Sequence, residues 1–355
     1  MATTDWKEGI NHIRHEFVGW LKSNSSSAIG ANTVYYKRYG TMAWDYGIKG
    51  RLYDIANNGW LNVIDTRGGT LTQMDISMPS SSSTTSHGVY VKTADEEFIM
   101  YHRYSSYWYK IYTDWDVSYA NITHSPTSSQ YGAGSVFLGS ILNSTAGTAD
   151  DDSVYTYLRE ETKLYKYSVS SNSWTTMDYS SDPNMSGLLN TQWNGALGWN
   201  WKDDGKYLYL IVRNSSKVPY LAKYDLTTGT WEEPQRIHNA PYYMFYGSTY
   251  RGTMTFDGKR TFFGMHPQNA SSDEEYDKYQ SRVLFMIREE EDGVYYYPIG
   301  RAPTGYRFMS TFNNQSQWIQ FVEVEGVGYI YYINGVSEPN DHKVAVYRAF
   351  VEHLR

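Results

Sequence analysis

Two stretches of this 355-residue chain say nearly the same thing: residues 164–177 read LYKYSVSSNSWTTM and residues 220–233 read YLAKYDLTTGTWEE. Each is an aromatic-rich run, a polar turn, and a tryptophan that opens a second run. Tyr167 and Trp174 lie seven residues apart, as do Tyr224 and Trp231. A repeat of this kind constrains the fold more than any composition, because each unit must bury its apolar faces against copies of itself. With the aromatic-plus-seven spacing as a ruler, further copies fall at Tyr53/Trp60 and Trp108/Trp115. Degenerate ones follow at Ile287/Val294 and Tyr347/Leu354. Successive first positions are 55, 59, 57, 63 and 60 residues apart, which predicts six units.

The content of each unit follows from its turns. Asp204-Gly205 and Asp257-Gly258 sit before aromatic or aliphatic runs, and Asp-Gly supplies the positive φ angles of a tight hairpin. VEGVGYIYYI at 324–333 holds the same place in the last unit. The reading is strand, tight turn, strand, variable loop, strand, short turn, Trp strand. Thirty-six Tyr, 12 Trp and 12 Phe against only 19% charged residues suit half-buried pleated strands, and Ser, Thr, Asn and Gly fill the gaps as turns require.

The Y-D-x-x-T-x-x-W pattern of Tyr224–Trp231 resembles a kelch-type β-propeller blade, and the resemblance extends over residues 31–355. The kelch double glycine is missing: YLYLIV at 207–212 stands where it is expected. The resemblance implies an all-β chain forming a six-bladed β-propeller of four-stranded antiparallel blades. It also implies that Trp60, Trp115, Trp174 and Trp231 pack between neighbouring blades. A Trp there would bury roughly 150–250 Å².

Residues 1–30 read differently. Trp6, Ile10, Ile13, Phe17 and Leu21 recur at spacings of 4, 3, 4 and 4, a helical period, followed by the Ser-rich connector 23–32. The expectation is an N-terminal amphipathic helix, either covering one face of the propeller or serving as a docking arm through Trp6, Ile10, Ile13 and Phe17. A second expectation competes with it. The sixth unit reaches its fourth strand only at Leu354, so the last blade needs an outer strand from elsewhere, and FVGWLKS at 17–23 is the candidate.

Recognisable chemistry is sparse. No G-x-S-x-G elbow, phosphate loop or H-E-x-x-H zinc motif occurs, and no catalytic, cofactor or metal residues are assigned. His12, His15 and Glu16 on the predicted helix read as a solvated face, and the acidic TADDDS stretch at 148–153 as an exposed loop. REEEDG at 288–293 reads as a charged turn between strands. YSSYWYKIY at 104–112 and APYYMFYGSTYRG at 240–252 could offer stacking surfaces, though alternation puts half of such rings between blades. Seven N-x-S/T sites read as accidents of an Asn/Ser-rich surface.

The net charge of −7 argues against a chain-wide nucleic-acid surface, and no run approaches the 18 apolar residues of a membrane span. Cysteine is absent, so no disulfide braces the fold. The opening MATTDWKEGINHIRHEF lacks the apolar core of a secretory leader, so none is expected. Three function classes fit. The first is a non-catalytic assembly platform in a virion (phage tail, neck or head), whose partners are other protein subunits or copies of itself. The second is a glycan-binding propeller located outside the cell or on its surface. The third is a carbohydrate-active enzyme with carboxylates assembled across blades. The first is the leading expectation, with virion localisation; a cytoplasmic location remains open.

Overall fold

The computed structural model describes residues 14–20, 43–44, 50–56, 60–68, 70–75, 85–92, 96–103, 107–112, 119–122, 136–140, 153–158, 161–190, 197–199, 207–240, 251–256, 260–266, 283–301, 319–338 and 341–350. Among them every regular element is a strand. Strand β1 is His15–Trp20. The next sheet is the antiparallel meander β2 (Ala43–Trp44), β3 (Arg51–Ala56), β4 (Trp60–Asp65) and β5 (Thr70–Asp75). A second meander follows in β6 (Thr85–Lys92), β7 (Glu97–Arg103), β8 (Tyr107–Tyr112) and β9 (Tyr119–Ile122). A third comprises β10 (Val136–Ser140), β11 (Ser153–Leu158), β12 (Lys163–Ser168) and β13 (Ser173–Asp178).

A ten-stranded sheet contains two further meanders. One comprises β14 (Leu189–Asn190), β15 (Leu197–Trp199), β16 (Tyr207–Arg213), β17 (Pro219–Asp225), β18 (Thr230–Trp231) and β19 (Gln235–His238). The other comprises β20 (Arg251–Phe256), β21 (Arg260–His266), β22 (Val283–Glu290) and β23 (Gly293–Arg301). The final sheet is β24 (Ile319–Val324), β25 (Val327–Glu338) and β26 (Asp341–Phe350), with β1 as its outer strand.

The first strands of successive meanders neighbour one another in the order β2, β6, β10, β15, β20, β24, and β24 neighbours β2 again. Consecutive meanders arranged radially around a closed ring make a β-propeller, an arrangement that leaves only short, protected sheet edges. Burial follows from that geometry. Middle strands are covered on both faces by adjacent sheets, so β16 is buried at every position from Leu208 to Arg213, while the outermost β13 is largely exposed.

The turns bear out the reading of strand order. Residues 204–205 and 257–258 lie outside the described residues but within the β15–β16 and β20–β21 connections. In the last sheet the β24–β25 turn is Glu325-Gly326, with φ of 51° and 82°, the pair of positive angles that a two-residue hairpin demands.

Over residues 15–20 the structure corrects the expected N-terminal helix. Residues 15–20 are strand β1, which pairs antiparallel with β26, His15 opposite Ala349 and Phe17 opposite Tyr347. A sheet edge offers a row of unsatisfied N–H and C=O groups, and pairing with that row outweighs a helical spacing of apolar residues. Two facets of β1 then separate. Val18 packs on the buried cluster of Leu52, Ile64, Val322, Tyr331 and Val346, which joins the last sheet to the first, while Phe17 stays exposed. The competing expectation, a closing strand from the 17–23 segment, is the one the fold adopts, two residues earlier than predicted. Trp6, Ile10 and Ile13 lie outside the described residues, and Phe17 stands on a strand, its ring 5.7 Å from that of Tyr347.

Gly19 lies close against the neighbouring sheet at this seam. A Cβ there would lie 3.0 Å from the Leu71 Cβ of β5, so glycine lets β1 sit down on the neighbouring sheet.

Candidate functional site

Each described seam between sheets is held by its own chemistry. Tyr53 of β3 stacks on Tyr90 of β6, both fully buried, with ring centroids 6.0 Å apart and planes 4° from parallel. At the next seam the buried Lys110 ammonium binds Glu96 Oε2 at 2.6 Å. It also lies 4.5 Å from the Phe98 ring centroid and 5.9 Å from that of Tyr167 across the seam.

The seam after β13 is polar and closed. The hydroxyl of buried Tyr179 donates to Asn190 Oδ1, and Asn190 Nδ2 donates to the Lys163 carbonyl at 2.8 Å. Burial pushes the Tyr179 phenol far above its usual range, so it stays a donor at any working pH. Tyr179 also meets Trp231 edge-on at 5.4 Å, and Asn184 Nδ2 donates to the Trp231 carbonyl at 2.7 Å. The Asn184 side chain of one N-x-S/T site is therefore engaged in this contact. Tyr179→Phe removes the hydroxyl that donates to Asn190 Oδ1 and should cost about 1–3 kcal/mol. Urea unfolding of the two proteins measures it, and equal midpoints would refute the staple.

One seam leaves polar and aromatic groups on the surface together. The fourth strand of the β16–β19 meander is broken. β18 pairs with the Tyr224 end of β17, Glu232 N donates to the Lys223 carbonyl, and after Pro234 β19 pairs with Tyr220 and Leu221. β19 then leaves its own sheet and runs parallel to β23, with Ile237 beside Val294 and His238 beside Tyr295. This is the only parallel pairing among the described strands. Lys223 of β17 reaches over to pair with Glu289 of β22.

A shelf of rings results. In the β22–β23 hairpin Arg288 stands opposite Tyr295 and Glu290 opposite Gly293. Alternation buries Val294 and Tyr296 and leaves Tyr295 and Tyr297 half-exposed. The exposed His238 lies 5.2 Å from Tyr295, ring to ring, and Tyr295 lies 6.2 Å from Tyr297. Gly293 has φ of 150°, a backbone angle that favours glycine, and a Cβ there would meet the His238 ring at an ordinary contact distance of 3.4 Å.

The rim is charged and internally compensated. Glu290 Oε1 accepts from Arg288 Nε at 3.0 Å and from the Tyr297 hydroxyl at 2.7 Å, and the Arg288 guanidinium lies 5.3 Å from the Tyr297 ring centroid. Tyr295 donates to Asp292 Oδ2 at 3.0 Å. The hydrogen bond from Arg288, and then that from Tyr297, holds the Glu290 carboxyl below its usual range. The hydrogen bond to Asp292 raises the Tyr295 phenol. Among the described residues no three of His, Asp and Glu gather to hold a metal.

The residues singled out in the sequence fall in different places. Trp231 is buried against Tyr224 and Tyr179, and Trp174 is half-buried against Tyr167 at 5.1 Å. Trp60 opens β4, the third strand of its meander, whereas Trp174 and Trp231 lie on fourth strands; Trp115 lies outside the described residues. His15 and Glu16 project to opposite faces of β1, toward Tyr332 and Arg348 respectively, and His12 lies outside. The acidic run at 150–152 also lies outside, as do residues 241–250, while residues 107–112 form β8. The shelf itself was read only as a charged turn. Its signal was the alternation in GVYYYP, which sends Tyr295 and Tyr297 to one face.

No protein-family model matches the chain, and no curated protein matches it. Solved structures do. A luciferin-regenerating enzyme is 12% identical with a TM-score of 0.48, covering 90% of this chain and 93% of its own. The calcium-binding protein regucalcin from Agrobacterium tumefaciens is 9% identical at 0.47, covering 87% and 95%. The β-propeller domain of Cps50 (Swd1) from Myceliophteria thermophila is 8% identical at 0.43, covering 86% and 82%. An enzyme and a calcium-binding protein among the similar structures run against the leading expectation of a non-catalytic virion assembly platform. That expectation is corrected to the β-propeller fold alone.

Proposed function

We propose that the protein is a six-bladed, kelch-like propeller that binds neutral saccharide on the shelf formed by His238, Tyr295 and Tyr297. The blade number is supported by the ring order of first strands and by the ten-stranded sheet containing two meanders. The kelch likeness is supported by the turn after the third strand. Asp225 Oδ1 accepts from Thr227 N at 2.8 Å and Thr228 N at 3.2 Å, and Gly229 follows at φ of 71°.

The observation that carries the binding reading is the row of three exposed or half-exposed rings bordered by paired charges. The C–H face of a sugar ring is slightly positive and the face of an aromatic ring negative, so the two stack, while the sugar hydroxyls turn to polar groups at the rim. Arg288 is already neutralised by Glu290, so the rim favours an uncharged ligand. The same arrangement speaks for binding without turnover. A general acid for glycoside cleavage needs a raised carboxyl pKa, and Glu290 is shifted the other way.

Titration of the full chain with a panel of neutral mono- and oligosaccharides tests the reading by calorimetry. Tyr297→Ala should weaken binding about two- to tenfold, the loss of one stacking contact worth roughly 0.5–1.5 kcal/mol. Tyr295→Ala should do the same. A panel without a binder, or undiminished affinity in both variants, would overturn the assignment; release of hydrolysed sugar would overturn the absence of turnover.

A further inference from the structure

We propose that β1 is an acid-released latch, in which protonation of His15 loosens the pairing of β1 with β26 and opens the ring at that seam. The geometry sets up a switch at a junction. β1 closes the last sheet, and its partner residues on β26 lie more than 300 positions away in the chain, so its main-chain pairing is entirely long-range. His15 sits at its first position, half-buried, with Nδ1 2.6 Å from the hydroxyl of fully buried Tyr332 on β25 and its ring 5.2 Å from that of Tyr347 on β26.

The groups around the imidazole define what its charge meets. Among the described side chains of β25 and β26, the phenols of Tyr332 and Tyr347 lie against its ring. On the strand itself Arg14 and Glu16 flank it. Glu16 lies on the opposite face, where Arg348 of β26 donates to Glu16 Oε2 through both Nε at 3.0 Å and a terminal nitrogen at 2.9 Å; Arg14 approaches Glu16 Oε1 at 3.5 Å. The one carboxylate of the latch is thus committed to two guanidinium groups, and Arg348 packs over Tyr329 at 4.8 Å.

Burial disfavours the imidazolium, so the His15 pKa in the folded chain lies below the ordinary value. The sign follows from linkage. The open latch binds the proton more tightly, so the closed state is fully favoured above about pH 6.5 and loses ground as pH falls through the folded value. Each unit of pKa depression multiplies the opening equilibrium up to about tenfold.

Hydrogen exchange of the full chain at pH 7.5 and pH 5.0, corrected for intrinsic exchange rates, reads this opening directly. Amides of β1 and β26 should lose several-fold more protection at pH 5.0 than those of β16 and β17, and His15→Gln should abolish that difference. Unchanged protection in the native chain, or the same loss in His15→Gln, would overturn the latch. Should His15→Gln not fold, the imidazole proton resonance of the native protein decides. A titration midpoint below the ordinary value, accompanied by exchange broadening of β26 signals, supports the latch; an ordinary midpoint refutes it.

Discussion

Replacing Trp231 with alanine is expected to lower unfolding free energy by about 3–5 kcal/mol, the usual cost of emptying a buried Trp site. The indole touches both sides of a seam: Tyr224 of its own sheet at 5.1 Å and Tyr179 of the preceding connection at 5.4 Å. Tyr179 is itself held by Asn190, which limits how far the surroundings can collapse into the space. Trp174→Ala should cost less, because Trp174 is only half-buried on an exposed outer strand. Denaturant midpoints of the two variants measure the contrast. Equal losses would show that position in the repeat, and not burial at the seam, sets the energy.

The second large effect is expected at Glu96. Glu96→Ala leaves the Lys110 ammonium, whose side chain is 8% exposed, without its carboxylate and against the Phe98 and Tyr167 rings. Breaking a buried pair from one side costs about 3–5 kcal/mol, and the part-exposed Glu96 puts this one near the lower bound. Lys110→Met combined with Glu96→Gln should recover most of the loss, because no charge is then stranded. A double-mutant cycle followed by thermal unfolding tests this. A double variant no more stable than Glu96→Ala would mean that the pair contributes through packing of the lysine stem alone.

How far the sequence could be read depends on which residues carried the period. The turn chemistry carried it best. Asp65 accepts from the amides of Arg67 and Gly68 just as Asp225 does from Thr227 and Thr228, and Ser168 accepts from Ser171 N at the same place in its own sheet. The first-sheet equivalent of Tyr224 and Trp231 is therefore Ile64 and Leu71, which pair directly across the turn. An aromatic ruler passed over that pair and settled on Tyr53 and Trp60, one strand early. Similarly, Val294 pairs with Glu289 and not with Ile287, because a two-residue hairpin there replaces the longer turn. The period survived these slips because a displaced landmark still recurs once per meander.

The N-terminal segment misled for a different reason. Its apolar spacing fits a helix, and only the empty edge of β26, some 330 residues away, decides for a strand. The shelf was hidden by the same non-locality. Tyr295 and Tyr297 show their alternation in sequence, but His238 reaches them only because β19 departs from its own meander, and no local pattern announces that departure.

That departure alters how the ring comes apart. At the other seams described, adjacent sheets meet mainly through side chains, so each meander has a boundary at which it can open alone. Between β19 and β23 the boundary is crossed by main-chain pairing, and Lys223 and Glu289 clasp it from the side. Local opening proceeds in contiguous cooperative units. The meanders β14–β19 and β20–β23 therefore form one such unit, the broadest in the ring, and the shelf lies in its interior. A ligand held there would be carried by the part of the molecule least able to unfold piecemeal.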